Sequence, residues 1–441
     1  MELTGKQIAI LGAGGSGYAA AALGLARGAV VSVFDSGSPE KLAPAVSRFA
    51  ALGARLTCGG EALRPPGRFD LCVISPGIDA SWPIAAAFAE ASGELVGEIE
   101  FAWRLGNAPV IAITGTNGKT TTTALVAAML GAAGLRSIAA GNIGLPYSEV
   151  VLSGKSYDWI VLETSSFQLE TVSTFAPRIA LWLNFAPDHM DRYRILDEYF
   201  NAKKRIFANL GGNDLAVRKL ECELGLAGRE ATFSAFASGG DFNYGSGNII
   251  HPASGRRFPF TQGELQGKHN AENVMAALAV ADEIGIPWDS VEAALLAFKA
   301  PPHRCEKVAE IDGAIYLNDS KSTNLHSLES ALNGQEVPVV LIAGGKNKGL
   351  DFSELREVAA RSVREVVCIG EIAGHIAAAW DGAVPCHPAA GVDEAVGMAR
   401  TLARPGEIVL FSPGTSSFDM FTGYEARGDC FRRAVLDRVG R

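Results

Sequence analysis

Gly115, Gly118, Lys119 and Thr120 crowd one short turn of the stretch VIAITGTNGKTTTTALVAAML (residues 110–130), between a strand-like apolar run and a helix-like run. Such a turn is suited to hold phosphate. A helix start leaves backbone N–H groups unpaired and carries about half a positive charge. Glycines let the chain curl close to an anion, a lysine reaches terminal phosphates, and a threonine hydroxyl can ligate Mg²⁺. Thr116, Asn117 and Thr121 complete the loop, and a nucleoside triphosphate is the expected ligand. The spacing departs from G-x-x-x-x-G-K-[ST], because Ile113 stands where the first glycine belongs.

Glu163 closes the apolar run WIVLE, where a carboxylate sits at the ligand-facing edge of a parallel sheet. Taken alone, it reads equally as a solvated strand-end acid. His189, in DHMDRY after the next apolar run, is open between a structural hydrogen-bonder and a metal ligand. Both follow strands in the same region as the phosphate loop, so a shared metal site is the expectation. Asn270 and Asn273 are three apart, so one helical face presents both.

The elements around these residues read as α/β throughout. QIAILGAGGSG, AVVSVFD and FDLCVISPG give the βαβ rhythm of an open parallel sheet. Gly12, Gly14 and Gly17, with Asp35 ending the second strand, fit a dinucleotide fingerprint. An NAD-dependent oxidoreductase is therefore one reading, although no separate domain suited to hydride transfer follows. Three domains are expected: a Rossmann-like domain over 1–97, a central P-loop ATPase-type domain over 98–302, and a second Rossmann-like domain over 303–441. Residues 211–268 turn Gly-rich and short-stranded, which predicts a small antiparallel insertion. Pro301 and Pro302 mark a hinge.

The chain has 441 residues, long enough for two to four domains. Hydrophobic residues make up 48% and charged residues 20%, a soluble globular balance. A net charge of -9 argues against a general binder of nucleic acid or of anionic membranes. The 7 cysteines are scattered singly with no C-x-x-C pair, so neither zinc nor a disulfide framework is indicated. MELTGKQIAILGAGG lacks a signal-peptide pattern, and the mid-chain run IALWLNFA is too short to span a bilayer. The cytoplasm is the expected compartment, and a monomer the default.

GTNGKTT, GNIG, ETSSFQLE, NFAPDHMDRY, KHNAEN, PHRCE and NDSKSTN occur in the order of the Mur ligase family, which adds amino acids to the bacterial cell-wall precursor. SPGTSSFDMF and YEARGD carry the resemblance to the C-terminal end. The pattern is most similar to the family's D-glutamate-adding branch. That resemblance implies ATP-driven amide formation on UDP-N-acetylmuramoyl-L-alanine through an acyl phosphate, with ADP and phosphate released. It implies two Mg²⁺ ions as cofactors.

By the same resemblance, Lys119 and Thr120 serve the triphosphate and its Mg²⁺, and Glu163 and His189 are metal ligands. Lys203 matches the lysine that the family carries as a CO₂-derived carbamate. Asn270 and Asn273 lie at the adenine, with Arg304 and Asp319 at the ribose and phosphates, and Lys321 stabilises phosphate charge. Thr323, Lys348, Ser417 and Tyr424 would bind D-glutamate, with Lys346 a competitor for the role of Lys348. Gly15, Ser16, Asp35, Ser75 and Asn142 would hold the UDP-sugar. The alternatives are a Mur-type or folylpolyglutamate-type ligase of other specificity, and a nucleotide-sensing relative without catalysis.

Overall fold

The computed structural model describes residues 1–439 other than 191, 264, 266, 300, 301 and 336. Pro301 of the expected hinge thus lies outside the described residues. Three sheets stand where three α/β runs were expected. Two compact units are present. The first comprises Met1–Asn243, Ile250–Arg256 and Asn273–Leu295; the second comprises Tyr244–Ile249, Arg257–Glu272 and Leu296–Arg441.

The first sheet contains β1 (Gln7–Leu11), β2 (Val30–Asp35), β3 (Arg55–Cys58), β4 (Leu71–Ile74) and β5 (Leu95–Gly97). All pairings are parallel, in the order β3-β2-β1-β4-β5. Ile8 to Leu11 are buried without a break, as expected where helices cover both faces of a parallel sheet. The strand order reverses between β1 and β4, and the crevice at such a switch point is where ligands bind. The GAGGSG loop leaves β1 there, and Ser75 follows β4. Gly17 is dictated by space, because a Cβ would lie 1.9 Å from the Gly12 carbonyl oxygen.

The second sheet contains β6 (Val110–Thr114), β7 (Ser137–Gly141), β8 (Trp159–Glu163), β9 (Ile179–Trp182), β10 (Leu215–Lys219), β11 (Arg229–Ser234), β12 (Phe242–Gly245), β13 (Asn248–His251) and β14 (Arg256–Phe258). Its order is β14-β13-β12-β11-β10-β9-β6-β8-β7. β6 is wholly buried between β8 and β9, both parallel to it, so the phosphate loop leaves the sheet at its centre. Residues 211–268 correct one expectation. β10 adds to β9 in parallel, and β11 and β12 continue in parallel. Only beyond β12 does a two-residue link, Ser246–Gly247, force a reversal.

A buried carboxylate braces this unit. Glu100, at the start of the helix Glu98–Leu105, accepts the backbone N–H groups of Ser173, Thr174 and Phe175 at 3.0, 2.9 and 2.9 Å. Burial pushes its pKa up, but hydrogen bonds from Thr174, Ser173 and Arg104 outweigh it and bring it to about 2.

The third sheet contains β15 (Glu306–Ile311), β16 (Ala314–Asn318), β17 (Val339–Gly344), β18 (Val363–Ile369), β19 (Cys386–Pro388) and β20 (Ile408–Phe411), in the order β15-β16-β20-β17-β18-β19. β15 and β16 form an antiparallel hairpin, and the remaining pairings are parallel. Asn318 and Ile342 both pair with Phe411. The loops NDSKSTN, GGKNKG and SPGTSSFDMF therefore leave the same strand-end edge of one sheet.

Candidate active site

The phosphate loop has the backbone its glycines predicted. Gly115 and Gly118 take φ values of 154° and 81°, and the helix Lys119–Ala132 starts at once. Asn117 donates its N–H to Asn184 Oδ1 at 2.9 Å, and Asn184 returns a bond to the Asn117 carbonyl at 3.1 Å. The Thr116 hydroxyl donates to Ala186 O and accepts its N–H, both at 3.1 Å. Asn273 is drawn in as well, since a Cβ on Gly118 would stand 2.1 Å from its Oδ1. Thr121 and Asn270 are buried, and Thr120 is half-buried.

Two lysines converge on this loop. Lys119 Nζ donates to the carbonyls of Gly115 and Thr116 at 2.9 Å each. Lys203 Nζ donates to the same Gly115 carbonyl at 2.8 Å. Lys203 is only 2% exposed. Burial and then the neighbouring Lys119 charge hold its pKa well below the ordinary lysine value, against the pull of Asp188 and Glu163. Its ring neighbour is Tyr199, 4.6 Å from Nζ to centroid.

Glu163 is 2% exposed, which removes the reading as a solvated strand-end acid. Its Oε1 accepts from Asn142 Nδ2 at 2.9 Å, while its Oε2 is buried with no hydrogen-bond partner. An orphaned buried carboxylate oxygen is costly unless a cation answers it. His189 takes a left-handed backbone, φ 57°, with its side chain 43% exposed and its ring 4.8 Å from that of Phe167. Among the described residues no three His, Cys, Asp or Glu side chains gather as a metal cage. Mg²⁺ does not need one, because it keeps waters and binds one or two carboxylates together with substrate phosphates. The orphaned Glu163 oxygen beside a phosphate loop fits such an ion.

At the switch point of the first sheet, Asp35 accepts the N–H groups of Ala13 and Gly37, each at 2.8 Å, and so braces the glycine loop. Gly15 and Ser16 open the helix Gly15–Ala26. Ser75 Oγ is buried and makes no hydrogen bond. A Cβ on Gly12 would stand 2.7 Å from it.

The second unit assembles its own group. Burial raises the Asp319 pKa to about 7 despite the Ser412 hydroxyl at 2.8 Å and the Arg304 charge. Lys321 Nζ donates to the Tyr424 hydroxyl at 2.7 Å. Ser417 is buried and Thr323 half-buried. Lys346 pairs with Glu371 at 2.8 Å, whereas Lys348 is exposed.

Sequence reasoning missed Asn184, Glu170, Arg192 and Arg427. Arg427 is fully buried and donates to Ser320 O at 2.7 Å and Thr415 O at 2.9 Å, tying the NDSKSTN loop to SPGTSSFDMF. Each lies in a stretch already singled out; for Arg192 and Arg427 an arginine inside a motif was the available signal, and Asn184 and Glu170 offered none.

Two family models match the chain: the Mur ligase middle domain over residues 113–281, and the Mur ligase glutamate ligase domain over residues 303–414. A UDP-N-acetylmuramoylalanine–D-glutamate ligase of Pelotomaculum thermopropionicum is 40% identical, covering 99% of this chain and 98% of its own. The protein of that name from Geobacter metallireducens is 39% identical, covering 99% and 98%. Among solved structures, MurF from Acinetobacter baumannii aligns with a TM-score of 0.62 at 17% identity, covering 94% of this chain and 91% of that one. The UDP-N-acetylmuramate-alanine ligase of Thermotoga maritima aligns with a TM-score of 0.59 at 18% identity, covering 98% and 99%. At such identities the structures speak for the fold.

Proposed function

The chain belongs to the Mur ligase family, and from that premise we propose that it joins D-glutamate to UDP-N-acetylmuramoyl-L-alanine, with ATP converted to ADP and phosphate. The observation that carries this reading is the 40% identity along essentially the whole chain to a ligase of that name. The chemistry of the site supports it. A carboxylate resists an amine until one of its oxygens becomes a leaving group. Transfer of the ATP γ-phosphoryl to that oxygen gives an acyl phosphate. The amine of D-glutamate then attacks the carbonyl, and phosphate leaves the tetrahedral intermediate. Such a reaction asks for positioning and charge neutralisation above all.

In this reading Lys119 and the loop 115–121 hold the triphosphate, and Asn270, Asn273, Arg304 and Asp319 serve the nucleotide. Two Mg²⁺ ions would supply charge neutralisation, held by Thr120, Glu163, His189 and a carbamate on Lys203. Gly15, Ser16, Asp35, Ser75 and Asn142 take the UDP-sugar. Lys321 neutralises phosphate charge, and Thr323, Lys348, Ser417 and Tyr424 take D-glutamate. The functional domains are 1–97, 98–302 and 303–441. Among the described residues no helix is long and apolar enough to cross a membrane. The reading includes a cytoplasmic monomer with small-molecule partners.

The test is ATP-dependent phosphate release with UDP-N-acetylmuramoyl-L-alanine against a panel of D- and L-amino acids. D-Glutamate should be the strongly preferred amine. Preference for L-glutamate or a diamino acid would overturn the substrate assignment. Within that assay Lys348→Ala should raise KM for D-glutamate by roughly 10- to 10²-fold, the scale of one hydrogen bond to a charged group. Lys346→Ala should change it much less, because Glu371 already occupies that ammonium. The reverse ranking would exchange the two assignments.

A further inference from the structure

Arg192 is the meeting point of three sequence segments: the loop after β4, the stretch 167–170 and its own turn after His189. Its side chain is only 12% exposed. Nη1 donates to the Pro76 carbonyl at 2.9 Å, and Nη2 to the Ile78 carbonyl at 3.4 Å. Both acceptors lie in the loop after β4, at the switch point of the first sheet. Nη2 also donates to Glu170 Oε2 at 2.5 Å, and the Tyr193 hydroxyl donates to Glu170 Oε1 at 2.5 Å. Asp79 stands 3.8 Å from Nε. The guanidinium lies 4.2 Å above the Phe167 ring, and His189 packs on that same ring. Arg192 is also one wall of a cavity of about 10 Å³, shared with Ser75, Glu98, Phe167 and Gln168.

The backbone completes the connection. The N–H groups of Arg192 and Tyr193 both donate to the His189 carbonyl, at 3.0 and 3.1 Å. His189 holds a left-handed conformation that a residue with a Cβ keeps only when its surroundings fix it. Around it stand this turn, Asp188, whose Oδ1 accepts the His189 N–H at 2.9 Å, and the rings of Phe167 and Tyr199; the turn and Phe167 are shared with Arg192. The guanidinium spreads its donors over separate atoms of one rigid plane, so Nη1 and Nη2 hold the two carbonyls and the carboxylate in a fixed fork; an ammonium gathers its three donors on one atom and cannot reproduce that spacing.

We infer that Arg192 is a positioning residue that locks the loop receiving the sugar nucleotide to the turn carrying His189, so that docking in the first sheet and alignment at the phosphate loop are coupled. The inference rests on the proposed reaction, since that reading assigns Ser75, at the start of this loop, to the UDP-sugar.

The experiment is steady-state kinetics on Arg192→Lys and Arg192→Gln, varying each substrate in turn. Expected is a KM for UDP-N-acetylmuramoyl-L-alanine raised by about 10-fold or more. A kcat about 10²-fold lower is also expected, the cost of displacing a reacting group by about 1 Å. KM for ATP should stay within about twofold, and the lysine variant should resemble the glutamine variant. General damage would move both KM values together, and that result would overturn the inference. So would a sugar-nucleotide KM within about twofold of the parent enzyme. If either variant does not fold, Glu170→Gln, which keeps the shape of the pair, must show the same split, and its absence counts equally against the coupling. A parent enzyme that joins no D-glutamate would instead remove the reaction itself.

Discussion

Lys119→Ala will lower ATP-dependent phosphate release by about 10²-fold or more, equivalent to roughly 2.7 kcal/mol of barrier. The ammonium rests on the carbonyls of Gly115 and Thr116, at the rim of a loop whose backbone is already curled for an anion. A phosphate oxygen is a far better acceptor for that ammonium than a peptide carbonyl. The exchange on nucleotide binding therefore moves a positive charge onto the group that is transferred. Phosphoryl transfer leaves little for the protein to do beyond placing charge, so losing this one should appear in kcat. KM for D-glutamate should stay near the parent value. Steady-state phosphate release measures both, and near-normal turnover would remove the loop from the reaction.

How much of this site could be read before any coordinates follows from which forces are local. The phosphate loop was legible because glycine torsions and a helix start are set within a few residues, and Gly115, Gly118 and Lys119 stand as expected. The parallel sheets were legible because strands covered on both faces are written as unbroken apolar runs. Strand direction in residues 211–268 was not. Short Gly-rich strands look alike in either sense, and only the connections decide it. Arg192 meets Pro76 across 116 residues, and Arg427 meets Ser320 across 107. A sequence displays those charges without showing which carbonyls they will reach. Burial is equally invisible in sequence: Glu163 is enclosed, although its run reads equally as ending in a solvated acid.

The second large effect concerns Lys203, where two cationic side chains share one acceptor. Lys119 and Lys203 both donate to the Gly115 carbonyl, and the two ammoniums repel. Burial first, and then the Lys119 charge, hold the Lys203 pKa well below the ordinary lysine value. Because its native pKa lies below its unfolded value, the native state binds fewer protons between the two. This group's contribution to stability therefore increases as pH rises through that window. The neutral amine is also what carbamate formation consumes. Its nitrogen lone pair forms a bond to the carbon of CO₂, an electron pair of one C=O bond moves onto oxygen, and the amine proton goes to solvent. The product would be an anion beside Lys119, which would turn a repulsion into an attraction and add a carboxylate-like donor on the side of Glu163. Lys203→Ala should accordingly lose about 10²-fold or more in turnover. Added formate or acetate should restore part of that loss by placing a carboxylate in the vacated space. CO₂ depletion should inhibit the parent enzyme more at lower pH, where less of the amine is neutral. A loss of turnover that no short carboxylate repairs, together with indifference to CO₂, would leave Lys203 as a hydrogen-bond donor to Gly115 and nothing more.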